Sequence, residues 1–331
     1  MAPLDDLLGA AGAHPRFEPD GGVRFSIVVR TQGRRPGALI EALASIADQT
    51  HPAHQVLVMV HDPDQATTSA VQSAIDTAEF DLPTDVIRVV GGGRTAPLNA
   101  ALDAATADYV CFLDDDDLAR PDWLSAFDLA IQANPGQIAR ARTGVQDWST
   151  EGTGEPRHPI GRVEEPFAAG FDLLAHVSHN ETPICSIAVP LGAVRHYGVR
   201  FADELPVLED WDFLMHLAPL TGVVSINAQT SLYRRLDAGG SDTEETVETW
   251  ERAHALVIER MSGRALLLPA GDAQRVASAH FAPAGGSRHE ADVVELATEI
   301  DQLTRSPARW GLRFGARVLS AARARVVVRR R

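Results

Sequence analysis

Four consecutive aspartates, Asp114 to Asp117, follow directly on the apolar run "YVCFL" at residues 109 to 113. In a strand or its extended continuation, residues two apart share a face. Asp114 and Asp116 are therefore expected on one side, Asp115 and Asp117 on the other. Two carboxylates on one face make a clamp for a cation. Without one, unit charges ~5 Å apart repel by roughly 3 kcal/mol at an effective dielectric of ~20. Hard oxygen donors with room for water and phosphate oxygens suit Mg²⁺ or Mn²⁺, whereas zinc prefers the nitrogen and sulfur ligands this run lacks. A plainer reading needs a single acid: Asp117 or Asp122 capping the helix that begins near Pro121, with its neighbours solvated.

The elements that must position these acids can be read from hydrophobic periodicity. "FSIVVR" (25 to 30) precedes a helical pattern in "PGALIEALASIAD", where Leu39, Ile40, Leu43, Ile46 and Ala47 recur at helical spacing behind Pro36. The same alternation returns in "QVLVMV" before "DQATTSAVQSAIDTA", "DVIRVV" before "APLNAALDAAT", and "YVCFL" before "PDWLSAFDLAIQA". Strands that are apolar on both faces and alternate with helices predict an α/β fold with a parallel sheet covered on both sides. Ligands of such sheets bind beyond the carboxyl ends of the strands. Those ends read "RTQGR", "HDPD", "GGGRT" and "DDDD", all polar, charged or glycine-rich. After about residue 135 the regularity gives way to a loop-rich stretch with strands, and the segment from about 241 to 304 reads as helices.

The totals bound the function. A chain of 331 residues with 45% hydrophobic content can bury a real core. No apolar run approaches the ~18 residues of a spanning helix, and the first residues lack the basic start of a leader, so the chain reads as soluble and cytoplasmic. A formal net charge of −15 argues against a nucleic-acid binder, which needs a basic surface. Cys111 and Cys185 stand in apolar contexts without paired spacing and read as two buried thiols. The segment 305–331 contradicts the average, with nine arginines and no acid. Arg309, Arg313 and Arg317 fall at i, i+4 spacing, with Leu312, Trp310 and Phe314 available for another face. Such a segment could lie at the inner face of an anionic membrane, or dock as a solvated helix that balances the acidic body.

Together "FSIVVRTQGRRPGALIEALASIADQTHPAHQVLVMVHDPD", "APLNAALDAATADYVCFLDDDDLARPDWL" and "LEDWDFLMHLAPLTG" resemble, in order, glycosyltransferase family 2 over roughly residues 25 to 235. The resemblance implies a GT-A fold: a Rossmann-like, mostly parallel sheet flanked by helices, here with a C-terminal helical extension. It divides the chain into an N-terminal extension (1–24), a nucleotide-sugar-binding half (25–118), an acceptor-binding half (119–240), the helical extension (241–304) and the basic tail (305–331). It also implies a nucleotide-diphospho-sugar donor with a divalent cation, Mn²⁺ or Mg²⁺, on its diphosphate. Asp114 and Asp116 match the D-x-D that holds the cation, Asp116 the direct ligand, with Asp115 near the ribose. Asp62 matches the aspartate at the nucleobase, and Arg30 with Thr31 the loop beside the base. Many relatives carry an arginine before the position of Asn99, where this chain has Leu98, so Arg94 is expected to supply the missing phosphate contact. Arg234 matches a late segment that reaches the diphosphate.

Transfer of a sugar to a hydroxyl needs a base to take the proton. The resemblance assigns that role to Asp210, with Glu209 as the next choice, although Glu209, Asp210 and Asp212 would equally complement the dipole of the helix they begin. The implied reaction is an inverting displacement on a glycan, lipid-linked or small-molecule acceptor. A non-catalytic module that binds nucleotide-sugar or glycan through the same cation is the alternative.

Overall fold

The computed structural model describes residues 22–61, 64–237, 245–268 and 271–280, the last four of these as backbone only. Asp62, most of the 1–24 extension, the helices expected after residue 280 and the basic tail lie outside the described residues. Two compact units divide the chain at residue 269/270. In the second unit the described element is a helix, Asp272–His280.

In the first unit, β1 (Phe25–Thr31), β2 (Gln55–His61), β3 (Thr84–Val89) and β4 (Tyr109–Asp114) pair in parallel in the order β3-β2-β1-β4. Between them run α1 (Pro36–Ala47), α2 (Gln65–Ala78) and α3 (Ala96–Ala104). The sheet continues from β4 through β8 (Ile187–Pro190), β6 (Ile138–Ser149), β9 (Val223–Leu236) and the two-residue β5 (Leu118–Ala119), with β7 (His158–Glu164) on β6. α4 (Trp123–Ala133) follows β5 in the chain, and the short α5 (Leu173–His176) and α6 (Leu191–His196) come before and after β8. β8 is antiparallel to both β4 and β6, whereas β9 runs parallel to β6. The expected α/β sheet with helices on both faces is what forms. The stretch after residue 135, expected to be loop-rich with strands, supplies the 12-residue β6 and the 14-residue β9.

Period-2 alternation sorts the core. Ile27, Val29, Cys111 and Leu113 pack on one face with Leu39, Leu43, Trp123 and Phe127. Val28, Val110 and Phe112 pack on the other with Leu98, Leu102, Phe201, Phe213 and Leu217. Burial of Leu39, Leu43 and Ile46 along α1 contributes about 1.5–3 kcal/mol each. Both thiols are free and buried, and burial pushes them well above their ordinary range.

Two helix starts shape the strand-end region. α1 begins at Pro36 behind Arg35, whose side chain gives no cap. Glu155 supplies it instead, its two oxygens each accepting at 3.0 Å from the N–H groups of Gly37 and Ala38. α7 (Glu209–Thr221) begins behind Leu208, a leucine in the left-handed region at φ 63°, ψ 18°. Such a conformation costs on the order of 1–3 kcal/mol and persists only where packing enforces it. Leu208 packs against the cluster that holds Leu205, Val207, Trp211 and Met215, and Phe213 of α7 stacks on Phe201 with centroids 4.1 Å apart and meets Phe112 of β4 at 6.3 Å. α8 (Val247–Ser262) lies on α7 through Val257, Met261, Trp211 and Met215, where buried Asp212 takes Arg260 and Arg264, each at 3.0 Å.

Candidate active site

Parallel register sets Arg30, at the end of β1, directly beside Asp114, at the end of β4. Arg30 donates through Nε and Nη2 to both Asp114 oxygens, at 3.0 and 2.8 Å, and through Nη1 to Glu209 at 2.9 Å. Arg94, at the end of the glycine loop after β3, donates to the same Glu209 oxygen through Nε at 2.6 Å. The carboxyl ends of three strands and the start of α7 are thereby tied into one ionic group. Burial opposes the charge on Glu209, but Arg94 and Arg30 outweigh it and hold its pKa down at about 2. Glu209 is ionised at any working pH and its oxygen is already spent on two cations. It is built to position, not to take a proton.

The four aspartates do not alternate as an extended strand would make them. β4 ends at Asp114, and Asp115 and Asp116 form a turn that the Asp117 N–H closes on the Asp114 carbonyl at 3.1 Å. The turn brings together Asp115 and Asp116, which share one guanidinium: Arg35 reaches Asp115 through Nη2 at 2.9 Å and Asp116 through Nη1 at 2.6 Å. Asp114, expected to face the cation beside Asp116, has both oxygens on Arg30. The second Asp115 oxygen accepts from the Thr31 hydroxyl, which itself accepts the Gly33 N–H at 2.9 Å. Asp117 does not cap the following helix. Its carboxylate accepts the Arg234 N–H at 3.0 Å, while Asp122 occupies the cap position of α4 without a side-chain bond.

This turn carries more negative charge than its arginines neutralise. Burial, then Asp116, push Asp115 up to about 7 against Arg35 and Thr31. Burial also raises Asp116, with Arg35 opposing and Asp114 adding to the shift. Burial followed by Asp116 and Asp114 raises Asp117 well above the carboxylate range. A hard cation would relieve all three, and Arg35 already stands in for it on two oxygens. Among the described residues no three His, Cys, Asp or Glu side chains converge as an all-protein metal cage. The donor set fits instead a cation held by one or two carboxylates together with phosphate oxygens.

Asp210 is half-buried in the first turn of α7. Burial, followed by the charge of Glu209, pushes its carboxyl up to about 7, opposed by the Trp211 N–H, Arg94 and the Asn180 amide. The Trp211 N–H lies at 2.8 Å. Asn180 is oriented by the Thr182 N–H on its Oδ1 at 2.9 Å, which leaves the amide nitrogen to face Asp210. Adjacent residues thus carry opposite shifts, one acid permanently charged and its neighbour titrating near neutrality.

The remaining expected residues divide. Asn99 spends its amide on the 201–203 loop, donating to the Phe201 carbonyl at 2.9 Å and accepting the Phe201 N–H at 3.0 Å, so it braces the site from behind. Arg234 is fully buried, donates to the Asp116 carbonyl and to Glu41, and lies 5.1 Å over the Trp148 ring. Its Nη2 has no hydrogen-bond partner among the described residues. Trp211 is buried with its indole N–H on the His176 carbonyl at 2.7 Å and serves the core. Two residues of the site were not anticipated from sequence. Arg35 had a visible signal, a second arginine in "RTQGRR" after the first strand. Asn180 had none, because its link to Asp210 spans a fold the sequence does not reveal.

The half-parallel sheet, with its acidic turn and two arginines at the strand ends, has the architecture of a GT-A fold. Residues 26–187 match the model of glycosyl transferase family 2. No curated protein matches the chain. Among solved structures, S. aureus TarS 1-349 in complex with UDP-GlcNAc is similar at 19% identity and a TM-score of 0.52, over 72% of this chain and 66% of that one. S. aureus TarS is similar at 19% identity and a TM-score of 0.53, over 81% of this chain and 44% of that one. At such identity the likeness is one of fold, and this chain spans less than two thirds of either.

Proposed function

We propose that the chain is an inverting glycosyltransferase that moves a sugar from a nucleotide-diphospho-sugar to a hydroxyl acceptor, with Asp210 as general base. The observation that carries the reading is the split between neighbouring acids, Glu209 held at about 2 and Asp210 raised to about 7, beside an arginine-rich cluster at the strand ends. A base is most effective when its pKa lies near the working pH, where it is both ionised and basic enough to accept a proton. Asp210 takes the proton of the acceptor hydroxyl as its oxygen attacks the anomeric carbon, and the nucleoside diphosphate leaves from the opposite face. Arg94 is tied to Glu209 through Nε, which leaves its Nη groups for the leaving phosphates. Thr31 and Arg30 form the wall of the nucleotide side, and Arg234 supports the acidic turn from below.

A Mg²⁺ or Mn²⁺ ion, held by Asp116 and Asp115 with Asp114 behind them, would neutralise charge on the diphosphate when bound. UDP and UDP-sugars are the first donors to test, because similar folds have been seen with UDP-GlcNAc and UDP. No described helix is long and apolar enough to cross a membrane. A cytoplasmic place, with the basic tail against an anionic membrane that presents lipid-linked acceptors, is part of the proposal.

The test is a thermal-shift screen of nucleoside diphosphates and their sugars with Mn²⁺, followed by donor turnover across acceptors. Stabilisation by one nucleotide class and turnover of its sugar support the reading. Donor binding without hydrolysis or transfer across a broad acceptor set would leave only a binding module.

A further inference from the structure

Arg35 differs from every other arginine of the cluster in how it is held. Arg30 is fixed by strand register, grips both oxygens of Asp114, and has a side chain only 11% exposed. Arg35 sits in the loop between β1 and α1, its side chain 21% exposed, and bridges Asp115 and Asp116 at 2.9 and 2.6 Å. Among the described residues no other cation pairs with those two carboxylates. The loop has its own anchor at Gly33, where φ is +69° and a Cβ would lie 2.5 Å from the Thr67 methyl, leaving no room for a larger residue. The helix that follows takes its cap from Glu155 and not from Arg35.

A guanidinium and a divalent ion beside the same two carboxylates compete for their charge, and like charges that close repel strongly. We propose that Arg35 is a tethered counter-cation, which holds Asp115 and Asp116 together until a divalent ion arrives with the donor diphosphate and then withdraws toward solvent. This inference rests on the reading of these carboxylates as the cation site. It makes entry of the cation and release of the Arg35 side chain a single exchange. Its consequence runs against the usual effect of removing a charged active-site residue: without Arg35, the bare metal binds more tightly. A residue that contacted the donor phosphates would act in the opposite direction.

The experiment titrates the full chain with Mn²⁺ alone, following loss of the free-ion signal by electron paramagnetic resonance, for wild type, Arg35→Gln and Arg35→Lys. Circular dichroism checks the fold. The expected result is Mn²⁺ affinity raised on the order of tenfold by Arg35→Gln, within the usual range for coupled sites. Arg35→Lys should fall between, since a single ammonium replaces a two-pronged fork. Mn²⁺ should also raise the melting temperature of Arg35→Gln more than that of wild type. Equal or weaker Mn²⁺ binding by Arg35→Gln overturns the proposal, and if that variant does not fold, Arg35→Lys is judged by the same sign. If wild type binds Mn²⁺ with UDP but the variants show no gain, only the role of Arg35 fails. If no form binds Mn²⁺ even with UDP, the cation site and the proposal fail together.

Discussion

The Asp114–Asp117 turn and the start of α7 are both acidic and share Arg30, yet they treat their charges in opposite ways. In the turn, cations are shared out: Arg30 to Asp114, Arg35 to Asp115 and Asp116, the Arg234 backbone to Asp117. At α7 one acid receives two arginines and the next receives none in ion-pair contact among the described residues. Shared, incomplete neutralisation suits a place where another cation and its phosphates come and go. Uneven neutralisation separates two titrations, which is what acid–base chemistry requires. On the proposed reading, similar residue types thus give a binding site in one region and a proton acceptor in the other.

Substitution at Asp210 should break the comparison most severely. Asp210→Asn keeps shape and removes the base, so turnover is expected to fall about 10²–10⁴-fold with the donor dissociation constant nearly unchanged, as steady-state rates and calorimetry would show. Next is Glu209→Gln, which takes the buried carboxylate from Arg94 and from Nη1 of Arg30, whose bonds to Asp114 remain. Breaking such a pair costs on the order of 3–5 kcal/mol, read as a lower midpoint in urea unfolding. Arg94→Ala sharpens the contrast from the binding side. Loss of charge-assisted bonds of about 1.5–3 kcal/mol should weaken nucleoside diphosphate binding without abolishing folding.

The same pair predicts a pH dependence of stability. Between the unfolded pKa near 3.8 and the folded value of about 7, the folded state keeps a proton on Asp210 that the unfolded chain has released, so this group costs stability as pH rises through that window. Asp210→Asn should therefore gain on wild type in unfolding free energy from about pH 4 to about pH 7. A constant difference would show that Asp210 is not perturbed.

Much of the first half of the fold was legible because each strand there announces itself twice, by an apolar run and by the helix that follows. "YVCFLD" delivers Asp114 to a strand end and "FSIVVRT" delivers Arg30 to the neighbouring one, so their meeting follows from parallel order. The second half was less legible. β6 and β9 carry arginines, threonines and glutamines that are buried by partners far away in sequence, such as Arg140 on Thr182 at 3.0 Å, and these dilute any alternation. Within the site, "DDDD" revealed charge but not the turn that redirects it, because the turn depends on Thr31 and Arg35 from another strand end. "ED" at the start of α7 was visible as a pair. Which of the two takes the proton depends on Arg30 and Arg94, and those contacts exist only in the folded chain.

The central claim is that Asp210 is a base poised near neutrality by burial and by Glu209. It is tested most directly by the pH dependence of kcat/KM for donor turnover in wild type and Glu209→Gln. The expected wild-type profile rises through an apparent pKa near 7. Its rising limb should move to lower pH in Glu209→Gln, where a negative neighbour is gone and Arg94 has lost its ion pair. A wild-type profile without that limb, or a limb that stays in place in Glu209→Gln, would contradict it.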